Sequence, residues 1–138
     1  MKGRLRRTLA WGDCDPAGII YYPTYYRWMD AASWNLVAAA GYDAGRMRAE
    51  QFTLPLVDSA CAFIASPTWG DECVVLSEVS RWGRSSFTVS HEIAMAADGR
   101  VLARGSESRV WCRYTAGPGT PLASIAIPDA VRAALAPA

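Results

Sequence analysis

Asp13 and Asp15 stand two residues apart in Trp11-Gly12-Asp13-Cys14-Asp15-Pro16-Ala17-Gly18. Pro16 and Gly18 fall at the second and fourth positions of a type I turn that Asp15 would begin. A carboxylate there has two uses. It can accept from nearby backbone N–H groups and shape the turn, or it can serve as nucleophile or general base beside the amides of a helix N-terminus. Asp13 is less suited to such work, because residues i and i+2 share a face only where no turn intervenes. Its expected role is to bond loop backbone. Asp30 sits in an apolar helical segment, where a carboxylate is costly unless paired or hydrogen-bonded. Arg27, three residues earlier, a backbone donor or a polar group on a ligand could each meet it. Arg84 and Ser85 mark a short reversal where a cation and a hydroxyl could meet an anion such as a phosphate.

The elements around these residues follow from hydrophobic period and turn chemistry. Residues 3–11 read as a first strand, and residues 13–22 as the turn and approach to a helix. Pro23 suits the first helical turn, where its missing N–H costs nothing. The helix should run to about Ala40, with Gly41 as its stop. Apart from Arg27, Asp30, Ser33 and Asn35 the segment is aromatic or aliphatic nearly all round, which predicts burial on most sides. Tyr26 and Trp34, a turn either side of Asp30, would wall an aromatic slot or join the core. Strands are then predicted over residues 52–66, with an irregular start at Pro55, and over 73–82, 86–96 and 101–114. In the third of these, Phe87, Val89, His91, Ile93 and Met95 share one face, so His91 reads as a satisfied core or interface histidine. Asp98-Gly99 is a hairpin signal, and residues 128–135 suggest a short terminal helix. One strand, a long helix and four antiparallel strands make an α+β domain spanning residues 1–138.

The run Asp13, Asp15 to Ile19, Tyr22, Pro23, Tyr25, Arg27, Trp28 and Asp30 to Ser33 resembles the 4-hydroxybenzoyl-CoA thioesterase family. Weaker similarity extends through residues 81–87 and 127–129. The resemblance implies a hot-dog fold, an antiparallel sheet wrapped around one long central helix. It also implies hydrolysis of an aromatic acyl-CoA, with 4-hydroxybenzoyl-CoA as the reference substrate. Asp15 would attack the thioester and form a mixed anhydride that water cleaves, although a general-base role toward water stands beside it. Tyr22 N–H would polarise the thioester carbonyl, since Pro23 has no N–H to offer. Asp30 would accept from the 4-hydroxyl of the ring. Arg84 and Ser85 are the CoA-binding candidates, with Arg104, Arg109 and Arg113 behind them. Relatives that join two sheets edge to edge imply a homo-oligomer, a dimer or a dimer of dimers (homotetramer), because the edge strands need cover.

Composition narrows the field further. Lys and Arg total 14 against 13 Asp and Glu, a net charge of +1, so no basic face for nucleic acid is expected. The chain has no uninterrupted run of about 18 apolar residues, which predicts no membrane-spanning helix. Residues 11–15 interrupt any apolar signal core after the basic start, and a cytoplasmic protein is expected. Cys14, Cys61, Cys73 and Cys112 form no C-x-x-C pair and His91 is the one histidine, so neither a metal site nor a disulfide framework is expected. Cys14 reads as a packed thiol, and no cofactor is implied. Two other functions fit the same fold: a short-chain acyl-CoA thioesterase of the Tol-Pal-associated type, and a non-catalytic acyl-binding subunit. The Tol-Pal branch often carries a His near the position of Pro23, which this chain lacks.

Overall fold

In the computed structural model residues 2–137 are described, and Met1 and Ala138, the two ends of the expected unit, lie outside them. The chain begins with β1 (Gly3–Thr8), then a 3₁₀ turn at Trp11–Asp13 and the helix α1 (Pro23–Ala39). A short helix α2 (Ala44–Ala49) follows, then β2 (Phe52–Thr53), β3 (Leu56–Phe63), β4 (Glu72–Trp82), β5 (Ser86–Met95) and β6 (Val101–Val110). The chain closes with β7 (Cys112–Tyr114), β8 (Leu122–Ser124) and α3 (Asp129–Leu135). The main sheet is antiparallel throughout, in the order β1-β4-β5-β6-β3, and β2, β7 and β8 form a small second sheet. Wrapped over α1, the larger sheet makes the hot-dog fold that the sequence resemblance implies.

The clean alternation of β5 sets the inner face. Phe87, Val89, His91 and Ile93 are buried, and the register places Val89 opposite Glu107 and Phe87 opposite Arg109 of β6. Period two carries those β6 residues inward as well. The helix approaches β6 closely at Gly105. A Cβ there would lie 2.3 Å from Met29 Sδ and 2.8 Å from the Ala60 carbonyl oxygen. Gly41, at φ +95°, ends α1 in the left-handed conformation that costs glycine least.

Four expectations need correcting. α1 is not buried on most sides. Its buried stripe is Thr24, Tyr25, Trp28, Met29, Ala32, Ser33, Leu36 and Val37, while Arg27, Asp30 and Asn35 lie outside it. The sheet covers one side of a helix, and within one chain no layer covers the other. The region 52–66 splits at Pro55, whose ring lacks the N–H a continuous ladder needs. The strand expected over 101–114 breaks at Trp111, beyond which residues 112–114 leave the main sheet and pair with β2 and β8. Finally, α2 and β8 add elements that the sequence does not predict, being too short to carry a readable period.

The core falls into two apolar clusters along α1. One gathers Leu9, Tyr25, Trp28, Met29, Val75, Ile93 and Leu102. The other gathers Leu36, Val37, Tyr42, Phe52, Leu54, Trp111 and Leu135. The buried polar side chains Ser33, Ser77, His91, Glu107 and Arg109 belong to neither cluster. Among the described residues no helix is long and apolar enough to cross a membrane.

Candidate active site

The turn at Asp15 forms as its residue types dictate. Gly18 N–H donates to the Asp15 carbonyl (2.9 Å) with Gly18 at φ +78°, and Ala17 N–H donates to Asp15 Oδ1 (2.8 Å). One carboxylate oxygen therefore shapes the turn. Among the described residues the other has no hydrogen-bond partner, so the turn-shaping and the chemical uses of Asp15 call on different oxygens. An antiparallel bridge between Cys14 and Ile20 closes the loop, and Tyr21 N–H donates to the Asp13 carbonyl (2.9 Å). Asp13 behaves as a loop brace: Oδ2 accepts from Ala10 N–H (3.0 Å) and Oδ1 pairs with Arg27 (3.1 Å).

The first turn of α1 leaves few donors free. Thr24 N–H donates to the Tyr21 carbonyl (2.8 Å) and Tyr25 N–H to that of Tyr22 (3.1 Å). Pro23 has no N–H. Among the described residues, Tyr22 N–H donates to no protein acceptor. Asp15 and Tyr22 line one pocket of about 340 Å³, with Ile19, Ile20, Tyr25, Phe63 and Ser66. Tyr25 is fixed in its wall, donating its hydroxyl to the Ala65 carbonyl (3.0 Å) and stacking on Phe63. Burial pushes the Tyr25 phenol well above its ordinary range, so it stays a neutral donor. Cys14 is held up first by burial and then by the charges of Asp13 and Asp15, which keeps its thiol protonated and fits a packed role.

A larger cavity, about 740 Å³, lies between α2, β2 and residues 114–118. Its lining includes Trp34, Met47, Phe52 and Tyr114 but no carboxylate. Chemistry rather than size therefore favours the pocket at Asp15.

Asp30 is not the buried acceptor that its apolar surroundings in the sequence suggest. Its side chain is 56 % exposed, and its partner is Arg109 of β6 (2.6 Å) rather than Arg27. Arg109 is itself only 4 % exposed and binds both oxygens of Glu107 (3.2 and 3.1 Å) and the Leu54 carbonyl (2.9 Å). Ser33 donates to Glu107 Oε1 (2.5 Å), His91 Nε2 lies 3.3 Å from Ser33 Oγ, and Ser77 Oγ 2.7 Å from His91 Nδ1. Burial alone would push the Glu107 carboxyl up. The hydrogen bonds from His91 and Ser33, with the Arg109 guanidinium, outweigh it and hold the group below its ordinary range. His91 is thus a satisfied core histidine.

Reading the sequence misses Glu107 and Arg109 as a buried pair, although a signal is present. Counting β6 in period two from Ala103 puts Gly105, Glu107 and Arg109 on the inward phase. Arg104 instead pairs with Glu92 (3.3 Å), and Arg113 lies over the Phe52 ring (4.8 Å). Arg84 and Ser85 lie at the other end of the sheet from Asp15. Ser86 pairs with Val110, whereas Phe63 of the Asp15 pocket pairs with Ala103. Seven residues of strand, about 23 Å, separate those positions, so one chain does not bring Arg84 and Ser85 to the Asp15 pocket.

A sheet wrapped over one long helix, with Asp15 and the residue before that helix lining one pocket, defines the class, a hot-dog fold. The family model of the Thioesterase-like superfamily matches residues 9–135, and the chain belongs to that superfamily: it is a thioesterase. The 4-hydroxybenzoyl-CoA thioesterase of Pseudomonas sp. (strain CBS-3) is 28 % identical over 130 residues, 90 % of each protein. Among solved structures, a variant 4-hydroxybenzoyl-CoA thioesterase complexed with 4-hydroxybenzoyl-CoA is 26 % identical at a TM-score of 0.86, covering 98 % of this chain and 99 % of that one. The BH1999 gentisyl-coenzyme A thioesterase is 30 % identical at a TM-score of 0.84, covering 96 % and 99 %.

Proposed function

We propose that this thioesterase hydrolyses an aromatic acyl-CoA, with 4-hydroxybenzoyl-CoA the best-supported substrate. The observation that carries the reading is the pocket shared by Asp15 and Tyr22. Tyr22 N–H donates to the thioester carbonyl and stabilises the oxyanion as attack proceeds. In the nucleophilic route, the free Asp15 oxygen adds to the acyl carbon and the C–S bond breaks. The CoA thiolate leaves and takes a proton from solvent. Water then cleaves the acyl–aspartyl anhydride and restores the carboxylate. In the general-base route Asp15 takes a proton from the attacking water instead. Both end in free acid and CoA thiol.

The second carboxylate of the site, Asp30, is offered by another copy of the chain. Within one chain Asp30 stands about 10 Å along α1 from Pro23. Its partner Arg109 pairs with Leu56 at the start of β3, whereas Phe63 at the strand's end belongs to the Asp15 pocket. β3 has one free edge. Antiparallel pairing of two such edges sets the Leu56 end of one copy beside the Phe63 end of the other. Asp30 then faces the neighbouring Asp15 pocket, where it accepts the ring hydroxyl. Contacts from Arg84 and Ser85 to the CoA nucleotide likewise call on a second copy.

The test is CoA thiol release over a panel of aromatic and aliphatic acyl-CoAs. 4-Hydroxybenzoyl-CoA should exceed benzoyl-CoA by at least about tenfold in kcat/KM, since benzoyl leaves an acceptor unpaired. Turnover confined to short aliphatic esters would replace this reading with the short-chain alternative. Binding with no thiol release would make the chain an acyl-binding subunit.

A further inference from the structure

We infer that Arg109 is the positioning residue for Asp30, and through it a determinant of acyl selectivity. The inference rests on the reading of Asp30 as acceptor for a substrate hydroxyl. Arg109 is held by three elements at once. Its guanidinium contacts Glu107 on its own strand, the Leu54 carbonyl just before β3, and Asp30 Oδ1 on α1. Glu107 is fixed in turn by Ser33, also on α1. A planar fork of donors can span these acceptors together, and a lysine ammonium cannot.

Neutralising Glu107 does not require Asp30. Arg109 already meets both Glu107 oxygens, so Asp30 is a second carboxylate on one guanidinium. Glu107 also accepts from Ser33, so the acceptor left over is on Asp30. Arg109 takes Oδ1 of Asp30, and among the described residues Oδ2 has no partner. Trp34, whose ring centre is 5.9 Å from the guanidinium, closes one side. A half-exposed aspartate without Arg109 would spread over several rotamers. With it, one oxygen is held inward and the other is presented at a defined place. An ordinary exposed ion pair orders two mobile side chains for little gain. Here one partner is immobile before the pair forms.

The test is the ratio of kcat/KM for 4-hydroxybenzoyl-CoA to that for benzoyl-CoA. It is measured on the full chain for the wild type, Asp30→Asn, Arg109→Lys and the double variant Glu107→Gln/Arg109→Gln. The double variant avoids stranding a buried carboxylate. The wild-type ratio of about tenfold or more should fall below about threefold in Asp30→Asn and in the double variant. Arg109→Lys should lie between, and adding Asp30→Asn to the double variant should lower the ratio no further. A purely structural Arg109 would depress both substrates equally and leave the ratio unchanged. A wild-type ratio near one, or one that survives Asp30→Asn, defeats the reading of Asp30 and the inference with it. A ratio lost in Asp30→Asn but kept in folded Arg109 variants overturns the inference alone. Failure of both Arg109 variants to fold also overturns it, because Arg109 would then serve the core.

Discussion

Only one oxygen of Asp15 is used by the turn, and a single substitution tests whether the other does the chemistry proposed for it. Asparagine keeps an oxygen for Ala17 N–H and suits the first turn position, but it can neither attack nor accept a proton efficiently. Asp15→Asn should fold normally and lose about 10² or more in turnover. Thiol release on the purified variant checks this, and near-normal turnover would exclude Asp15 as the reacting carboxylate. Glu107 shows the opposite use of a carboxylate, as a buried acceptor. Its folded-state value lies below the ordinary 4.5, so its stabilisation is complete above that pH and is lost as pH falls through the lower folded value. Urea midpoints measured from about pH 6 to about pH 3 should drop more steeply in the wild type than in Glu107→Gln. Equal slopes would show that Glu107 does not govern acid stability.

Between α1 and β6 the decisive feature is the absence of a side chain. Gly105 faces Met29 and the Ala60 carbonyl so closely that a methyl group would have to displace the Met29 thioether from under α1 and press on the β3 backbone. Gly105→Ala should cost about 1–3 kcal/mol of stability, the usual range for overpacking. A methyl group added at Gly12 would meet nothing within 4 Å, so Gly12→Ala should stay within about 0.5 kcal/mol of the wild type. Denaturant melts of the two variants compare them directly, and equal melts would show that the helix–sheet contact can give way. The same contact lets Ser33 reach Glu107, so the spacing of α1 over β6 also sets the support beneath Asp30.

For the molecule as a whole, the open edge of β3 matters most. Leu56, Val57 and Phe63 on that strand are exposed, as are Tyr21 and Tyr22 at the mouth of the Asp15 pocket. An unpaired edge with apolar side chains is a template for pairing. The chain should therefore form a dimer or larger assembly by light scattering at micromolar concentration, against 15.0 kDa for one copy. Val57→Lys, which puts a charge on that edge, should shift the assembly toward monomer and reduce turnover together. A stable wild-type monomer that turns over normally would remove the two-copy site.

Local chemistry makes the Asp15 turn, the start of α1 at Pro23, its stop at Gly41 and the inward face of β5 readable from the sequence. Each depends on residues adjacent in the chain or on a regular period, and β5 has that period. The break at Trp111 is harder to read, because residues 112–114 leave the main sheet to pair with β8 and with β2, a strand distant in the chain. Asp30 misleads for a similar reason. Helical spacing offers Arg27, but Arg27 turns to Asp13 and Asp30 to Arg109, 79 residues away. Charge and spacing along the chain determine what a side chain can bond. Which partner it takes is decided by strand register and by the face of α1 that the sheet covers, and only tertiary structure fixes those.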